Sequence, residues 1–400
     1  MTTNRSEHPS SMEPMVLSSN SKYRTELIDL SIELAQQSAS LRAHLPTEIG
    51  DALATLVRTM NCYYSNLIEG HATHPVDIER ATKGDYSKDK TKRNLQLEAK
   101  AHIEVQAWID AGGLKNGEIT SVKGLLEIHR RFCELMPPEL LVVKDPKTGE
   151  KIKVIPGVFR TRDVIVGQHI AITPDAVPRF IARFEESYNA LGKSESILAT
   201  AAAHHRLLWI HPFLDGNGRV ARLMSYAQML VNLDTGGIWS IARGLARNES
   251  TYKAHLMACD APRQGALDGR GNLSEERLAL FTKFFLETCL DQVKFMESLV
   301  EPNTLRARIL TWTAEESRLG NLHPSASKVM EAILYRGELH RGEVVDIVGL
   351  SERHSRRIIA PLLERGILSS PTERGPLRLA FPSELASRWM PGLFPPESKA

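Results

Sequence analysis

Apolar positions three and four residues apart run through most of this chain, a spacing typical of helices that bury one face. In a clear example, apolar side chains at positions 53, 56, 57, 60 and 64 line one side of a predicted helix over residues 46–69. Similar spacing predicts helices that begin near residues 23 and 73, and helices over residues 95–110, 122–135, 176–190, 197–210, 243–257 and 278–300. The sequence therefore predicts a mainly α fold.

One stretch departs from this helical pattern. Residues 143–152 combine turn-forming residues with short β-prone pieces, and residues 164–172 have the pattern of a β-hairpin. We therefore expect a small β element inside a helical protein. From the residues alone, it could equally be a surface hairpin without a function.

The last hundred residues have a different pattern of predicted elements. Short helices are predicted over residues 306–319, 325–335, 341–349 and 352–365, followed by two short strands at 367–368 and 377–380. This order resembles a winged-helix module. The last helix carries the basic residues Arg353, His354, Arg356, Arg357 and Arg365, and its arginines suit contacts with DNA. Because modules of this shape also bind proteins, DNA binding through residues 351–366 and binding of a protein partner both stay open.

These changes in pattern predict four regions. Residues 1–22 are rich in Ser, Asn, Pro and Thr and are expected to form a disordered tail. A helical N-terminal region covers residues 23–115, a helical core covers 116–302, and the winged-helix-like domain covers 303–400.

Composition excludes several classes of protein. The formal net charge is +2, so overall charge does not indicate a nucleic-acid or membrane partner. The four cysteines are scattered without a C-x-x-C pair, which argues against a disulfide framework or a zinc ribbon. The N-terminus lacks an apolar signal core, and no apolar run is long enough for a membrane span. We therefore expect a cytoplasmic protein that does not contact a membrane.

The chemistry concentrates in residues 211–222, His-Pro-Phe-Leu-Asp-Gly-Asn-Gly-Arg-Val-Ala-Arg. A glycine turn that opens a helix is an anion site, because free backbone N–H groups meet there. Arg219 and Arg222 lie three residues apart and can share a helix face toward a polyphosphate. Asp215 could hold the accompanying Mg²⁺, and His211 can accept a proton near neutral pH.

Common nucleotide-binding motifs are excluded. Residues 216–221 fit the fingerprint G-x-G-x-x-A, but that fingerprint follows a strand, whereas residues 199–210 have a helical pattern. No P-loop motif occurs in the chain. The neighbouring His204 and His205 do not complete a zinc pattern with His211.

Residues 211–222 resemble the complete signature of the Fic family, H-P-F-x-D/E-G-N-G-R-x-x-R. The resemblance implies an all-helical core and transfer of AMP from ATP to a protein hydroxyl, with Mg²⁺ and with Mn²⁺ as an alternative. It implies that His211 is the general base and that Asp215 binds the metal. It further implies that Gly216, Asn217, Gly218, Arg219 and Arg222 bind the phosphates of ATP.

A second motif lies at the end of the helix over residues 46–69. Ser65-x-x-x-Glu69-Gly70 resembles the inhibitory motif of Fic proteins, S/T-x-x-x-E-G/N. The resemblance implies that Glu69 pairs with Arg222 in the place of the γ-phosphate. A carboxylate and a phosphate would then compete for one guanidinium, which predicts an autoinhibited enzyme.

The resemblance also implies where substrates bind. A protein target would dock on a flap near residues 164–173 by adding a strand to its edge, and a neighbouring copy of the chain could be such a target. Asn248 and Tyr252 would lie near the adenine. The Ser, Thr or Tyr identity of the acceptor and the existence of a homodimer stay open.

Two other functions remain as alternatives. The same site could remove AMP from a modified protein, with Glu69 positioning a water molecule. The chain could instead be a DNA-binding regulator whose helical core senses a nucleotide. Transfer of a phosphate group is disfavoured because Gly218 and Arg222 follow the AMP-transfer pattern.

Overall fold

The computed structural model describes residues 7–145 and 148–395 of the chain and is mainly helical, as predicted. The chain divides into two compact units. The first contains residues 1–38, 61–235 and 240–292, and the second contains residues 39–60, 236–239 and 293–400. The expected division into regions at residues 115 and 302 stays a prediction.

The predicted helices of the N-terminal and central parts of the chain are present. Their bounds, from α1 to α11, are Arg24–Ala43, Thr47–Ile68, Pro75–Thr82, Lys90–Asp110, Val122–Glu134, Val177–Tyr188, Lys193–Ile210, Asn217–Leu233, Ala242–Arg247, Glu249–Cys259 and Glu275–Val300. The stretch 243–257, predicted as one helix, is part of two helices, α9 and α10, which meet at Asn248.

Helices α7 and α8 form the centre of the first unit. Every residue of α7 from Ser196 to Leu207 is buried. Four of these are alanines, at positions 199 and 201–203. Small side chains let α8 pack closely against α7, so the loop between the two helices is held by the core at both ends.

Two short hairpins supply the predicted β element. Strand β1 (Val142–Lys144) pairs antiparallel with β2 (Lys151–Lys153), and β3 (Ile165–Val166) pairs antiparallel with β4 (His169–Ile170). The turn of the first hairpin includes residues 146 and 147, which lie outside the described residues. The second hairpin is the one that we predicted as the flap, and its apolar side chains at 165, 166 and 170 are between 45% and 60% exposed.

The expectation of a disordered tail over residues 1–22 is wrong for residues 7–22. Met12, Met15 and Leu17 are buried. The main-chain carbonyl of Pro14 accepts two hydrogen bonds from Arg206, and that of Met15 accepts one from the Tyr188 hydroxyl. The polar composition suggested disorder, but partners distant in sequence satisfy this backbone. Residues 1–6 lie outside the described residues.

The second unit ends in the module predicted from the C-terminal pattern. Its elements, in chain order, are α12 (Pro302–Arg318), α13 (Ala326–Arg336), β5 (Glu338–Leu339), α14 (Glu343–Val348), α15 (Glu352–Glu364), β6 (Leu368–Ser369), β7 (Leu377–Leu379) and α16 (Ala386–Trp389). The three strands form an antiparallel sheet in the order β5-β7-β6. The predicted order of helices and strands is present, and the winged-helix interpretation rests on it.

Pro302 starts a helix rather than only breaking one. It occupies the first turn of α12, where a missing N–H has no cost. Glu301 caps this helix by accepting hydrogen bonds from the N–H groups of Asn303 and Thr304. Within the described part of the chain, no helix combines the length and apolar character needed to cross a membrane.

Candidate active site

The loop between α7 and α8 has a fixed conformation. His211 ends α7 in the left-handed region at φ 51°, and Gly216 precedes α8 at φ 82°. Buried Asn217 braces the turn, because its side chain accepts a hydrogen bond from the Phe213 N–H (2.9 Å) and donates one to the Phe213 carbonyl (2.8 Å). The Asn217 side chain is therefore committed to the loop, and only its backbone N–H could face a phosphate.

His211 is held as a neutral base. Its Nδ1 lies 3.3 Å from the main-chain carbonyl oxygen of Leu208, which can only accept, so Nδ1 carries the proton and Nε2 has the free lone pair. Burial lowers the pKa of His211 to about 4, and the positive charge of Arg160 acts in the same direction. His211 can therefore accept a proton through Nε2 at neutral pH.

Arg222 is buried and is held by the end of α2. Its Nε donates to the Ser65 hydroxyl (2.9 Å), and its Nη2 donates to the Ser65 carbonyl (3.2 Å) and to the Glu69 carboxylate (2.5 Å). The predicted contact between Glu69 and Arg222 is therefore present. About a third of the Glu69 side chain (32%) is exposed, so solvent or a ligand can reach this carboxylate.

A glycine turn places Glu69 over the start of α8. Gly70 has φ 82° and follows α2 in a Schellman arrangement, in which the N–H of Gly70 bonds to the Leu67 carbonyl and that of His71 to the Asn66 carbonyl. A Cβ atom at Gly218 would lie 2.4 Å from Glu69 Oε1. The absent side chain thus makes room for an anion at the N-terminus of α8.

Opposing effects act on the Glu69 carboxyl group. Burial raises the pKa of Glu69, but the charge of Arg222, followed by that of Arg219 and the hydrogen bond from Arg222, outweighs it and lowers the pKa below its usual value. Glu69 is therefore ionised at neutral pH.

Arg219 does not share the position of Arg222. It is buried, and its Nη1 lies 2.7 Å from the buried carboxylate of Glu98. The other oxygen of Glu98 lies 2.8 Å from Nδ1 of His71. Arg219 thus faces Glu98 in this conformation, and its expected joint contact with Arg222 to a polyphosphate stays a prediction. Arg219 also acts on Glu69 through its charge.

Tyr252 belongs to a buried chain of hydrogen bonds. The Ser225 hydroxyl donates to the Ala221 carbonyl, so it accepts from Nδ1 of His204 (2.9 Å), and Nε2 of His204 accepts from the Tyr252 hydroxyl (2.7 Å). Burial lowers the pKa of His204 to about 3 and raises that of Tyr252 to about 12. Both groups are neutral, and the chain fixes the Tyr252 hydroxyl near Arg222.

A cavity of about 930 Å³ joins several of these groups. Of the predicted site residues, those that line it are Glu69, His211, Gly218, Arg222 and Tyr252. Its other walls are the β3–β4 hairpin and α10, with Trp209 and Leu208 at the end of α7.

Six predicted residues lie outside the lining of this cavity: Ser65, Asp215, Gly216, Asn217, Arg219 and Asn248. Asp215 is exposed and accepts a hydrogen bond from the Gly216 N–H (2.7 Å). Asn248 is exposed at the junction of α9 and α10, and its side chain donates to the Gly244 carbonyl (3.0 Å).

Two residues to which the sequence analysis assigned no role bind the hairpin to α7. Arg160 is buried and donates hydrogen bonds to the main-chain carbonyls of His211, at the end of α7, and of Ile172, which follows β4. His169, on β4, donates from Nε2 to the Trp209 carbonyl (2.7 Å). Because these acceptors are main-chain atoms, the sequence alone does not indicate which groups the two side chains contact.

The fold and this site define a class of helical proteins in which a histidine and an arginine flank a glycine turn between two central helices. Residues 119–229 match the sequence model of the Fic/DOC family. The protein adenylyltransferase Fic of Drosophila ananassae is 36% identical over 119 residues, which are 29% of this chain and 21% of that protein. The corresponding protein of Culex quinquefasciatus is 37% identical over 122 residues, with the same two shares.

The chain thus spans about a fifth of the length of these curated relatives. A solved Fic family protein from Desulfovibrio desulfuricans G20 has a similar fold, with a TM-score of 0.51 and 16% identity over 88% of this chain and 96% of that one. Residues 119–229 of this chain are a Fic domain, which confirms the resemblance drawn from residues 211–222.

Proposed function

We propose that this protein transfers AMP from ATP to a hydroxyl group of a protein and that Glu69 restrains the reaction. The observation that carries the proposal is the Glu69–Arg222 pair above Gly218, on the same cavity as His211. A base, a cation and an anion site at a helix N-terminus are the groups that such a transfer needs. The names of the curated relatives support the same reaction.

The reaction needs one proton transfer and one displacement. Nε2 of His211 accepts the proton of the target hydroxyl while the hydroxyl oxygen bonds to the α-phosphorus of ATP. The bond from that phosphorus to the bridging oxygen breaks, and pyrophosphate leaves. The backbone N–H groups of residues 216–218 and the guanidinium of Arg222 stabilise the phosphate charge, so positioning and electrostatics supply most of the rate gain.

Asp215 fits the requirement for Mg²⁺. Mg²⁺ is usually held by one or two carboxylates together with substrate phosphates and water, and Asp215 is an exposed carboxylate beside the phosphate loop. Mn²⁺ accepts the same oxygen ligands. Among the described residues there is no cluster that could hold a metal without the nucleotide. When bound, the ion would neutralise phosphate charge.

Glu69 occupies the place that a terminal phosphate needs. A charge-assisted hydrogen bond of this kind contributes about 1.5–3 kcal/mol. Its competition with ATP therefore weakens productive binding by roughly ten- to a hundred-fold. The unaltered chain is expected to be a slow enzyme.

Labelled ATP tests the reaction directly. The Glu69→Gly chain, incubated with itself as acceptor, should incorporate label from the α-phosphate and none from the γ-phosphate. The added substitution His211→Ala should abolish incorporation while ATP still binds. Incorporation from the γ-phosphate, or undiminished labelling after His211→Ala, would contradict the proposal. Removal of AMP by the unaltered chain, lost after Glu69→Gly, would instead favour the reverse reaction.

The β3–β4 hairpin is the proposed docking site of the target. Its strands are short, its apolar side chains are exposed, and it walls the cavity that contains His211. An extended segment that adds to its edge through main-chain hydrogen bonds would bring a hydroxyl to the base with little demand on sequence. A second copy of the chain can supply such a segment, and self-modification is therefore expected.

We also infer that the C-terminal module binds duplex DNA through residues 351–366. One face of α15 presents Arg353, His354, Arg356 and Arg357 to solvent, while Ile358, Ile359 and Leu362 are buried on the other. An exposed basic face opposite an apolar seam suits phosphate contacts.

Binding of the full chain to a labelled duplex tests this second proposal. We expect an affinity that falls steeply with salt and that Arg356→Glu and Arg357→Glu weaken. His211→Ala is the control and should leave the affinity unchanged. Affinity that is insensitive to both charge reversals would overturn DNA binding by this face.

A further inference from the structure

Arg160 lies on the segment that leads into the β3–β4 hairpin, and it makes an unusual set of contacts. It is 4% exposed. Its guanidinium donates to four main-chain carbonyls, those of His211 (2.7 Å), Ile172 (2.5 Å), Arg162 (2.9 Å) and Ile210 (3.4 Å). One buried cation thus satisfies carbonyl groups from three segments of the chain.

Two of these carbonyls belong to the end of α7. A helix C-terminus carries unsatisfied carbonyl groups and partial negative charge, which a guanidinium stabilises. Here the same residue also donates its main-chain N–H to the Pro212 carbonyl (2.9 Å). His211 is a non-glycine residue in the left-handed region, a strained backbone conformation. Arg160 therefore helps to hold His211 in the conformation that directs its imidazole into the cavity.

The other two carbonyl groups lie at the two ends of the hairpin. Arg162 precedes β3 and Ile172 follows β4, so the fork spans both ends of the element that walls the cavity. His169 makes a second tie, from β4 to the Trp209 carbonyl. The hairpin is thus joined to the last turn of α7 in two places: at the two ends of the hairpin, through Arg160, and along β4, through His169.

Arg160 itself does not line the cavity. Its charge nevertheless reaches the imidazole and lowers the pKa of His211, in addition to burial. Burial lowers the pKa of Arg160 to about 10, with Asp163 and Glu7 opposing this, so the guanidinium stays charged at neutral pH.

We propose that Arg160 is a positioning residue for AMP transfer, and that it sets the place of the target-docking hairpin relative to His211. The inference rests on the proposed function, because it concerns the acceptor side of that reaction. Loss of the fork should leave the nucleotide site intact but misplace the acceptor hydroxyl. Misplacement by about 1 Å at a reacting centre can cost on the order of a hundred-fold in rate.

The test compares full-length chains that all carry Glu69→Gly. Arg160→Lys keeps the charge but loses the fork, and Arg160→Gln also loses the charge. Arg206→Lys is the matched control, since Arg206 is also buried and also donates to a main-chain carbonyl, that of Pro14. A full-length chain with His211→Ala serves as an acceptor whose concentration can be varied. Calorimetry with ATP and transfer of α-phosphate label are measured on each.

Arg160→Lys should bind ATP like its parent but transfer AMP about a hundred-fold more slowly, while the Arg206→Lys control transfers like its parent. Arg160→Gln should also shift the acid limb of the pH–rate profile to higher pH, since a cation near His211 is gone. A merely structural role would not separate ATP binding from transfer. Transfer at the parental rate in Arg160→Lys, or a parallel loss of ATP affinity, would overturn the proposal.

Hydrogen exchange keeps the inference testable if Arg160→Gln does not fold or if the parent chain transfers nothing. A parent without transfer contradicts the proposed function, not the coupling. In Arg160→Lys the amides of residues 164–172 should exchange faster than in the parent, whereas those of α6 should not. Unchanged exchange in the hairpin would overturn the role of Arg160 in holding it to α7.

Discussion

Glu69 and His71 stand two residues apart after α2, and each faces a different arginine of α8. Glu69 contacts Arg222 directly, whereas His71 reaches Arg219 through the buried Glu98. The residue that we propose as the restraint is therefore followed by a titratable side chain in an ionic contact. If Glu69 restrains the site, the strength of that restraint should depend on pH.

The pH dependence has a definite sign. The hydrogen bond with Glu98 raises the pKa of His71 above its usual value of 6.5, partly offset by burial and by Arg219, with Glu69 adding to the increase. The stabilising contact is therefore complete at low pH and is lost as the pH rises through the raised pKa. We expect the ATP affinity of the unaltered chain to increase as the pH rises from 6.5 through the raised pKa of His71.

Calorimetry on the chain with and without His71→Gln measures this effect. ATP titrates in the same way in both experiments, so only the difference between them reports on His71. If the two chains show the same pH dependence, His71 does not contribute to the restraint.

The sequence predicted residues of the site mainly where they belong to a recognisable motif. His211, Arg222 and Glu69 were found in this way, and the cavity brings them together. The partner of Arg219 could not be found, because Glu98 lies on another helix and its chemistry is common at helix surfaces. The hydrogen-bond chain through His204 was missed for the same reason, since each of its members has an ordinary structural role.

At the scale of elements, the loop between α7 and α8 depends on one side chain. Asn217 makes two buried hydrogen bonds to Phe213, so Asn217→Ala leaves two main-chain groups unsatisfied. Each such group costs about 1–3 kcal/mol. We expect Asn217→Ala to lower the free energy of unfolding by about 1–3 kcal/mol or more. Urea denaturation measures this loss.

Asn248→Ala provides the comparison for this element. Asn248 also bonds to a main-chain carbonyl, but it is exposed, so its loss should cost clearly less than that of Asn217. Equal effects of the two substitutions would show that the loop does not depend on the buried brace.

Helix periodicity predicted most elements because the helices are long and bury one face. The segment over residues 7–22 could not be predicted, since its few apolar residues follow no period and its backbone is held by side chains such as Arg206 and Tyr188. The break at Asn248 was also hidden, because the apolar spacing continues across it. The first of these errors arises from contacts that are distant in sequence.

For the whole molecule, buried neutral histidines predict sensitivity to acid. Burial lowers the pKa of five of them to between about 3 and about 4, at positions 102, 129, 204, 205 and 211. The unfolded chain then binds more protons than the folded one between the ordinary value of 6.5 and these lowered values. The contribution of these histidines to stability is therefore fully present above the ordinary pKa of 6.5. It is lost as the pH falls toward the lowered pKa values.

Thermal unfolding across this range checks the acid sensitivity. The melting temperature should decrease between about pH 6.5 and about pH 4.5, and His102→Gln should reduce the decrease, because His102 is fully buried. A melting temperature that stays constant over this range would contradict the assignment of these side chains as neutral and buried.

The measurement that tests the central claim most directly is the calorimetric affinity for ATP of four chains: the unaltered one, Glu69→Gly, Glu69→Gln, and Glu69→Gly combined with Arg222→Ala. If a terminal phosphate and the Glu69 carboxylate compete for Arg222, both substitutions should tighten ATP binding by roughly ten- to a hundred-fold, and Arg222→Ala should remove the gain. Glu69→Gly with no measurable affinity for ATP, or with the same affinity as the unaltered chain, would contradict it.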